Sequence, residues 1–213
     1  MLLSLKYSWL MRIMIWVNTK AITMTIVFAA LSIVLNLVRI PAVYWPGFFY
    51  QLWEIPIVTA FLLFGPRIGI SVAVLNVLAQ IVLFPVPAGI IAYPWALVAT
   101  LTMLLGVHLA YKFFSSRSSN DIPLFGAKPI VYFTSLGIAF RAGIMPFVDY
   151  AMYHSLLPIV IGRSFTEAYV TALIPAFIVF NITVPLYTVP IGYHIARQLS
   201  KSLKLGSSFK SYV

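Results

Sequence analysis

The sequence predicts an all-α, polytopic membrane protein of six transmembrane helices with both termini cytoplasmic. Three observations predict it. Hydrophobic residues make up 62% of the 213 residues and charged residues only 8%, against roughly a quarter charged in a soluble domain, so there are too few charges to wet a globular surface. The apolar residues fall into six runs separated by polar or Pro/Gly-containing breaks. Lysine and arginine gather on alternate breaks, as cytoplasmic loops do.

The opening stretch, 1–20, carries Lys6 and Arg12 among apolar and aromatic residues. It has no small-residue cleavage site and reads as an interfacial amphipathic lead-in rather than a cleaved signal peptide. The first span covers 21–38 and is ended by Arg39 and Pro41, after which 40–53 forms an aromatic loop. The second span, 54–64, is short for a hydrocarbon layer of ~30 Å and stops at the tight turn Gly65-Pro66-Arg67. The third covers 68–84, up to Pro85-Val86-Pro87, and the fourth 90–113. Residues 115–128, with Arg117, Asp121 and Lys128, are polar enough to be a loop in water. The fifth span is 129–153 and the sixth 168–197, joined by 155–167. The helical domain thus occupies 21–198, and 199–213 is a basic tail containing Lys201, Lys204 and Lys210.

With the N-terminus inside, Lys6, Arg12, Lys20, Arg67, Lys112, Arg117, Lys128, Arg197, Lys201, Lys204 and Lys210 are all cytoplasmic. Only Arg39 and Arg163 fall outside, and Arg141 lies within the fifth span. This bias accounts for the formal charge of +10 without nucleic acid as a partner. Glu54, Asp149 and Glu167, three of the four acids, fall towards the outer side, where function is expected. The absence of cysteine excludes disulfides, thiolate metal sites and a cysteine nucleophile. Neither H-E-x-x-H, G-x-S-x-G nor a phosphate-binding glycine loop is present. His108, His154 and His194 are scattered over different spans. No enzyme, cofactor or metal is therefore expected, and an ATP-driven process needs its nucleotide site on another chain.

Arg141 and Asp149 are the foremost candidates for a site, because ionisable groups at membrane depth face a bundle interior, a partner or a cavity. They lie eight residues, or about 12 Å of helix, apart. Glu54 starts the second span, where a helix dipole tolerates an acid, and the loop before it is crowded with Tyr44, Trp45, Phe48, Phe49, Tyr50 and Trp53. Such a cluster either anchors the chain at the interface or lines a pocket for a flat ring. Asn76 and Gln80 share one face of the third span, and Asn181 lies between Pro175 and Pro185 of the sixth. These amides either join helices or touch ligand, and the prolines suit an irregular, cavity-facing backbone. Tyr93 and Trp95, at the opening of the fourth span, complete the substrate-binding candidates.

Glu54-Ile55-Pro56 runs into Phe64-Gly65-Pro66-Arg67-Ile68-Gly69 directly after the aromatic loop. This order resembles the substrate-binding S components of energy-coupling-factor (ECF) vitamin transporters. Gly137-Ile138-Ala139-Phe140-Arg141 with Asp149-Tyr150 is similar to the fifth helix of the riboflavin-specific members, and Phe180-Asn181-Ile182 to their last helix. The resemblance covers nearly the whole chain beyond the lead-in. It implies that the chain captures a riboflavin-like vitamin in an outward-facing pocket capped by the loop after the first helix. It also implies association with a transmembrane coupling subunit and two cytoplasmic ATPases. The family's first helix docks through an Ala-x-x-x-Ala face. The nearest match here is Thr25-x-x-x-Ala29 with Ala30 and Ser32 adjacent. Asp149 stands where many riboflavin binders carry asparagine, which keeps a thiamine-related pyrimidine as the alternative ligand. An intramembrane enzyme or a ligand-free scaffold subunit are the alternatives of a different class.

Overall fold

A computed structural model describes residues 19–44, 48–85, 89–117, 127–162 and 164–202. The amphipathic lead-in, Trp45, Arg163 and the end of the basic tail lie outside these residues. The elements are α1 (Thr19–Leu35), β1 (Arg39–Pro41), β2 (Phe49–Gln51), α2 (Glu54–Phe64), α3 (Pro66–Leu83), α4 (Gly89–Arg117) and α5 (Ala127–Ala151). A π-helical turn, Met152–Leu156, then leads into the short α6 (Leu157–Ile161), and α7 (Glu167–Ser202) ends the described fold.

Three expectations change. The aromatic loop is not wholly irregular: β1 and β2 form an antiparallel ribbon with Arg39 opposite Gln51, Ile40 opposite Tyr50 and Pro41 opposite Phe49. Aromatic and β-branched residues flanking a Pro-Gly pair favour pairing over helix here. The chain is therefore helical with one small ribbon rather than purely α. The fifth span also continues as helix to residue 161 instead of stopping at 153. Pro158 cannot donate to a carbonyl one turn back, and Leu157 N–H reaches back to Met152 O instead, a widened π turn. Gly162, at φ 65°, then stops the helix. Finally, α7 remains helical for 36 residues through Pro175, Pro185 and Pro190, so the irregular backbone expected around Asn181 is absent.

The short α2 is the centre of the structure. Each of its eleven residues is buried, and it packs against α1, α3, α4 and α7. Ile57, Val58, Phe61 and Leu62 join Val72 of α3, Met103 and Val107 of α4, Phe133 of α5 and Val189 and Tyr193 of α7 in one core. Close approach depends on glycine. A Cβ on Gly192 of α7 would meet Val58 Cγ1 at 2.8 Å, and one on Gly106 of α4 would meet the Leu136 carbonyl oxygen of α5 at 2.2 Å. At roughly 16 Å, α2 is too short to cross a hydrocarbon layer alone. It is sheathed by its neighbours, with the ribbon continuing from its N-terminus.

The helices place apolar residues outward and polar ones inward. On α5, Phe147 is 78% exposed while Asp149, two residues on, is 4% exposed. Val82, Ile90 and Ile159 are likewise exposed. Four helical stretches, Pro66–Leu83, Gly89–Phe113, Lys128–Val160 and Glu167–Ser202, are long and apolar enough to cross a membrane. The chain is a membrane protein whose polar groups line its interior.

Candidate functional site

At the ribbon end of the bundle, α2, α4, α5 and α7 enclose a cavity of about 310 Å³, at the small end of the range typical for ligand pockets, roughly 300–1,000 Å³. Helical periodicity builds its walls. Arg141, Met145 and Asp149 on α5 and Tyr153 in the π turn after it follow one another at four-residue steps, and Phe177, Phe180, Asn181, Val184 and Tyr187 share one face of α7. Ala92, Ala96 and Ala99 on α4 provide the space, with Trp95 projecting between them. Phe48, Phe49, Gln51 and Trp53 complete the lining from the ribbon side.

A continuous polar network forms one side of this cavity. Arg141 Nη1 donates to both Glu54 carboxylate oxygens, at 2.8 and 2.7 Å, in an ion pair whose side chains are each 4% exposed. Arg141 Nε donates to Asn181 Oδ1 at 3.1 Å. Asn181 Nδ2 passes the link on to Asp149 Oδ2 at 2.9 Å and also donates to the Phe177 carbonyl. Trp95 Nε1 donates to the other Asp149 oxygen at 2.7 Å, and Thr100 Oγ1 donates to Glu54 Oε1 at 3.2 Å. Glu54 occupies the first turn of α2, where the dipole favours its charge.

Aromatic rings surround this polar wall. Trp95 meets Tyr153 edge to face at 5.7 Å, and Tyr153 meets Phe177 at 5.3 Å. Phe48 packs on Phe180, and Tyr50 of β2 stacks on Phe180 at 5.4 Å. Two hydrogen bonds hold the ribbon over the cavity, from Tyr187 OH to the Gln51 carbonyl and from Trp53 Nε1 to Gln51 Oε1, both 2.8 Å. The arrangement suits a flat ring: aromatic faces to stack on and charged or amide groups for its edge.

Of the expected substrate-binding residues, Glu54, Trp95, Arg141, Asp149 and Asn181 converge on this cavity. Tyr44, Tyr93, Asn76 and Gln80 do not line it. Tyr44 accepts a hydrogen bond from Tyr50 on the ribbon's exposed side, and burial pushes its phenol above the ordinary value. Tyr93 OH ties the start of α4 to the Phe84 carbonyl at the end of α3. Asn76 accepts from Asn36 Nδ2 at 2.8 Å, joining α3 to the end of α1, and Gln80 is buried one turn further along. Met145, Tyr153, Phe177 and Tyr187 were not among the candidates. Stepping in fours along α5 from Arg141, or along the turns flanking Asn181, was the signal that would have found the first three.

The expected docking face also divides. Ala29 and Ser32 are buried against the body of the chain, at 5% and 0% exposure, and Ser32 Oγ donates to the Trp53 carbonyl. Their small side chains do allow close helix approach, but within this chain. Ala30 is exposed, and half-buried Thr25 bonds back to the Ala21 carbonyl.

No family model matches the sequence, and no curated protein is recognisably similar to it. Its fold is nevertheless known. A solved structure, the S component of a bacterial ECF transporter, superposes with a TM-score of 0.69 over 87% of this chain and 98% of its own, at 20% sequence identity. The chain therefore has the fold of an ECF-transporter S component.

Proposed function

We propose that the chain is the substrate-capturing S component of an ECF-type vitamin transporter, multi-pass in the cell membrane, and that its ligand is riboflavin or a related flavin. The observation that carries this reading is the aromatic cavity bordered by the Glu54–Arg141–Asn181–Asp149–Trp95 network. Such a pocket binds a ring system by stacking and fixes it by hydrogen bonds to its edge. Its location within an S-component fold supports capture rather than catalysis.

The remaining parts follow from the sequence. The charge bias favours six spans with both termini inside, which puts the ribbon and the cavity mouth on the outer side. With no nucleotide-binding motif in the sequence, energy comes from a coupling membrane subunit and two cytoplasmic ATPases. Docking on the coupling subunit uses the exposed parts of α1, including Ala30 and the edge of Thr25. The Asp149 carboxylate favours one second reading, a thiamine-related pyrimidine, because an exocyclic amine would donate to it.

A fluorescence and mass-spectrometric screen of small molecules that co-purify with the detergent-solubilised protein tests the proposal. A bound flavin is expected, with affinity lowered by Asp149→Ala and by Asn181→Ala. Failure to bind any flavin or thiamine-related compound would remove the vitamin assignment, and catalytic turnover of a bound compound would remove the transport reading.

A further inference from the structure

The polar wall of the cavity does not balance. Among the described residues, its ionisable carboxylates and cations are Glu54, Arg141 and Asp149, since no other described Asp, Glu, Lys or Arg lines it. Arg141 is committed to Glu54 through both carboxylate oxygens and reaches Asp149 only by way of the Asn181 amide. Among the described residues, Asp149 is thus a second buried acid without a cation of its own. The groups facing it are Trp95 from α4, Asn181 and, deeper in the lining, Tyr187 from α7, Glu54 from α2, and Arg141 and Tyr153 from its own helical stretch. Among the described residues, two neutral N–H donors, Trp95 Nε1 and Asn181 Nδ2, bond it directly.

Filling the cavity with a flat ring removes solvent from this carboxylate and leaves a full charge in an aromatic, low-dielectric space, which is costly unless it is compensated. We infer that occupancy of the cavity is electroneutral, and that every bound ligand is accompanied by one positive charge at Asp149. A cationic ring supplies that charge itself, by resting among the aromatic faces beside the carboxylate. A neutral ring requires a proton, taken from bulk solvent to form an O–H bond on Asp149. No bond of the ligand breaks, and the new carboxyl group donates to an acceptor on the ring edge. The inference rests on the ring-capture reading above and adds the charge rule that decides which rings are held and at what pH.

The test is calorimetric titration of the full-length protein in nanodiscs with riboflavin as the neutral probe and thiamine as the cationic one. Repeating each titration in buffers of different ionisation enthalpy counts the protons taken up. One proton per riboflavin is expected, with Kd weakening about tenfold per pH unit wherever Asp149 is ionised in the free protein and protonated in the complex. Thiamine, if held, should bind with no proton uptake. Asp149→Asn, which keeps the shape and removes the charge, should abolish the proton count for riboflavin, flatten its pH profile and weaken thiamine at least tenfold. Riboflavin bound without a proton, or thiamine bound with one, overturns the charge rule while leaving ring capture intact. Binding of neither probe at any pH overturns both.

Discussion

Two buried polar clusters lie in this bundle, and they differ in how completely they satisfy themselves. The first links α2, α4, α5 and α7 through Glu54, Arg141, Asn181, Asp149 and Trp95, and none of its buried atoms lacks a partner. The second links the end of α1 to α3 through the Asn36–Asn76 bond, with Gln80 buried one turn along α3, and leaves Asn36 Oδ1, Asn76 Nδ2 and Gln80 Nε2 unpaired. The first borders a cavity and carries charge, whereas the second is neutral and lies within a helix–helix contact. An acid and a base at membrane depth persist only when their environment compensates them. Neutral amides are tolerated with one bond, because one suffices to join two helices.

The difference predicts the cost of breaking each cluster. Arg141→Met should have the largest effect, because it strands Glu54 as an unpaired charge in a fully buried helix. A loss of about 3–5 kcal/mol is expected, read as a fall in the unfolding midpoint of the detergent-solubilised protein. Replacing both partners, as Glu54→Leu with Arg141→Met, should restore most of that stability while ring capture stays abolished. A double variant that is no more stable than the single one would mean that the pair does not act as a unit.

Asn181→Leu should come next. It removes the amide bridge between Arg141 and Asp149, taking an acceptor from the guanidinium and a donor from the carboxylate. About 2–3 kcal/mol is expected for bonds to charged groups, together with loss of ligand affinity. If affinity falls and the unfolding midpoint does not, the bridge orients the ligand without supporting the fold.

These charged residues were also the most legible in the sequence. Arg141, Asp149 and Glu54 stand out because ionisable groups are rare in apolar spans, and that rarity alone led to the site. Asn181, Asn76 and Gln80 were equally visible as polar residues in lipid, yet nothing in their identity separates an amide that lines a cavity from one that joins helices. That distinction depends on which helix lies opposite: α5 for Asn181, the end of α1 for Asn76. The cavity itself was not legible, since it arises from three alanines of α4 meeting Tyr153 of the π turn and the aromatic face of α7. The ribbon was hidden for a related reason, because aromatic residues before a helix read equally well as a membrane-interface belt. The helix order, by contrast, followed directly from hydropathy, although ends moved: the first helix stops at Leu35, the fourth runs to Arg117, the fifth stretch continues to Ile161 and the last helix to Ser202.

Asn76→Leu should cost less, about 1–2 kcal/mol, because it removes one neutral bond and leaves the Asn36 amide wholly unpaired. Ligand affinity should not change, since neither residue lines the cavity. A loss of affinity without loss of stability would tie the α1–α3 contact to the site.

Gln80→Met should have the smallest effect and the opposite sign. Gln80 is 5% exposed, and its Nε2 has no partner. An unpaired buried amide group costs about 1–3 kcal/mol, whereas methionine fills a similar volume without polar atoms. The substitution should therefore stabilise the protein by about 1 kcal/mol, measured by the same unfolding assay, with unchanged ligand affinity. The sign separates two physical situations. If Nε2 is unsatisfied in the folded protein, removing it is a gain. If a bound water links Nε2 to Asn36 Oδ1, methionine breaks that link and destabilises by a similar amount. A destabilised Gln80→Met would show the second cluster to be as fully satisfied as the first, and the contrast between them would then reduce to charge alone.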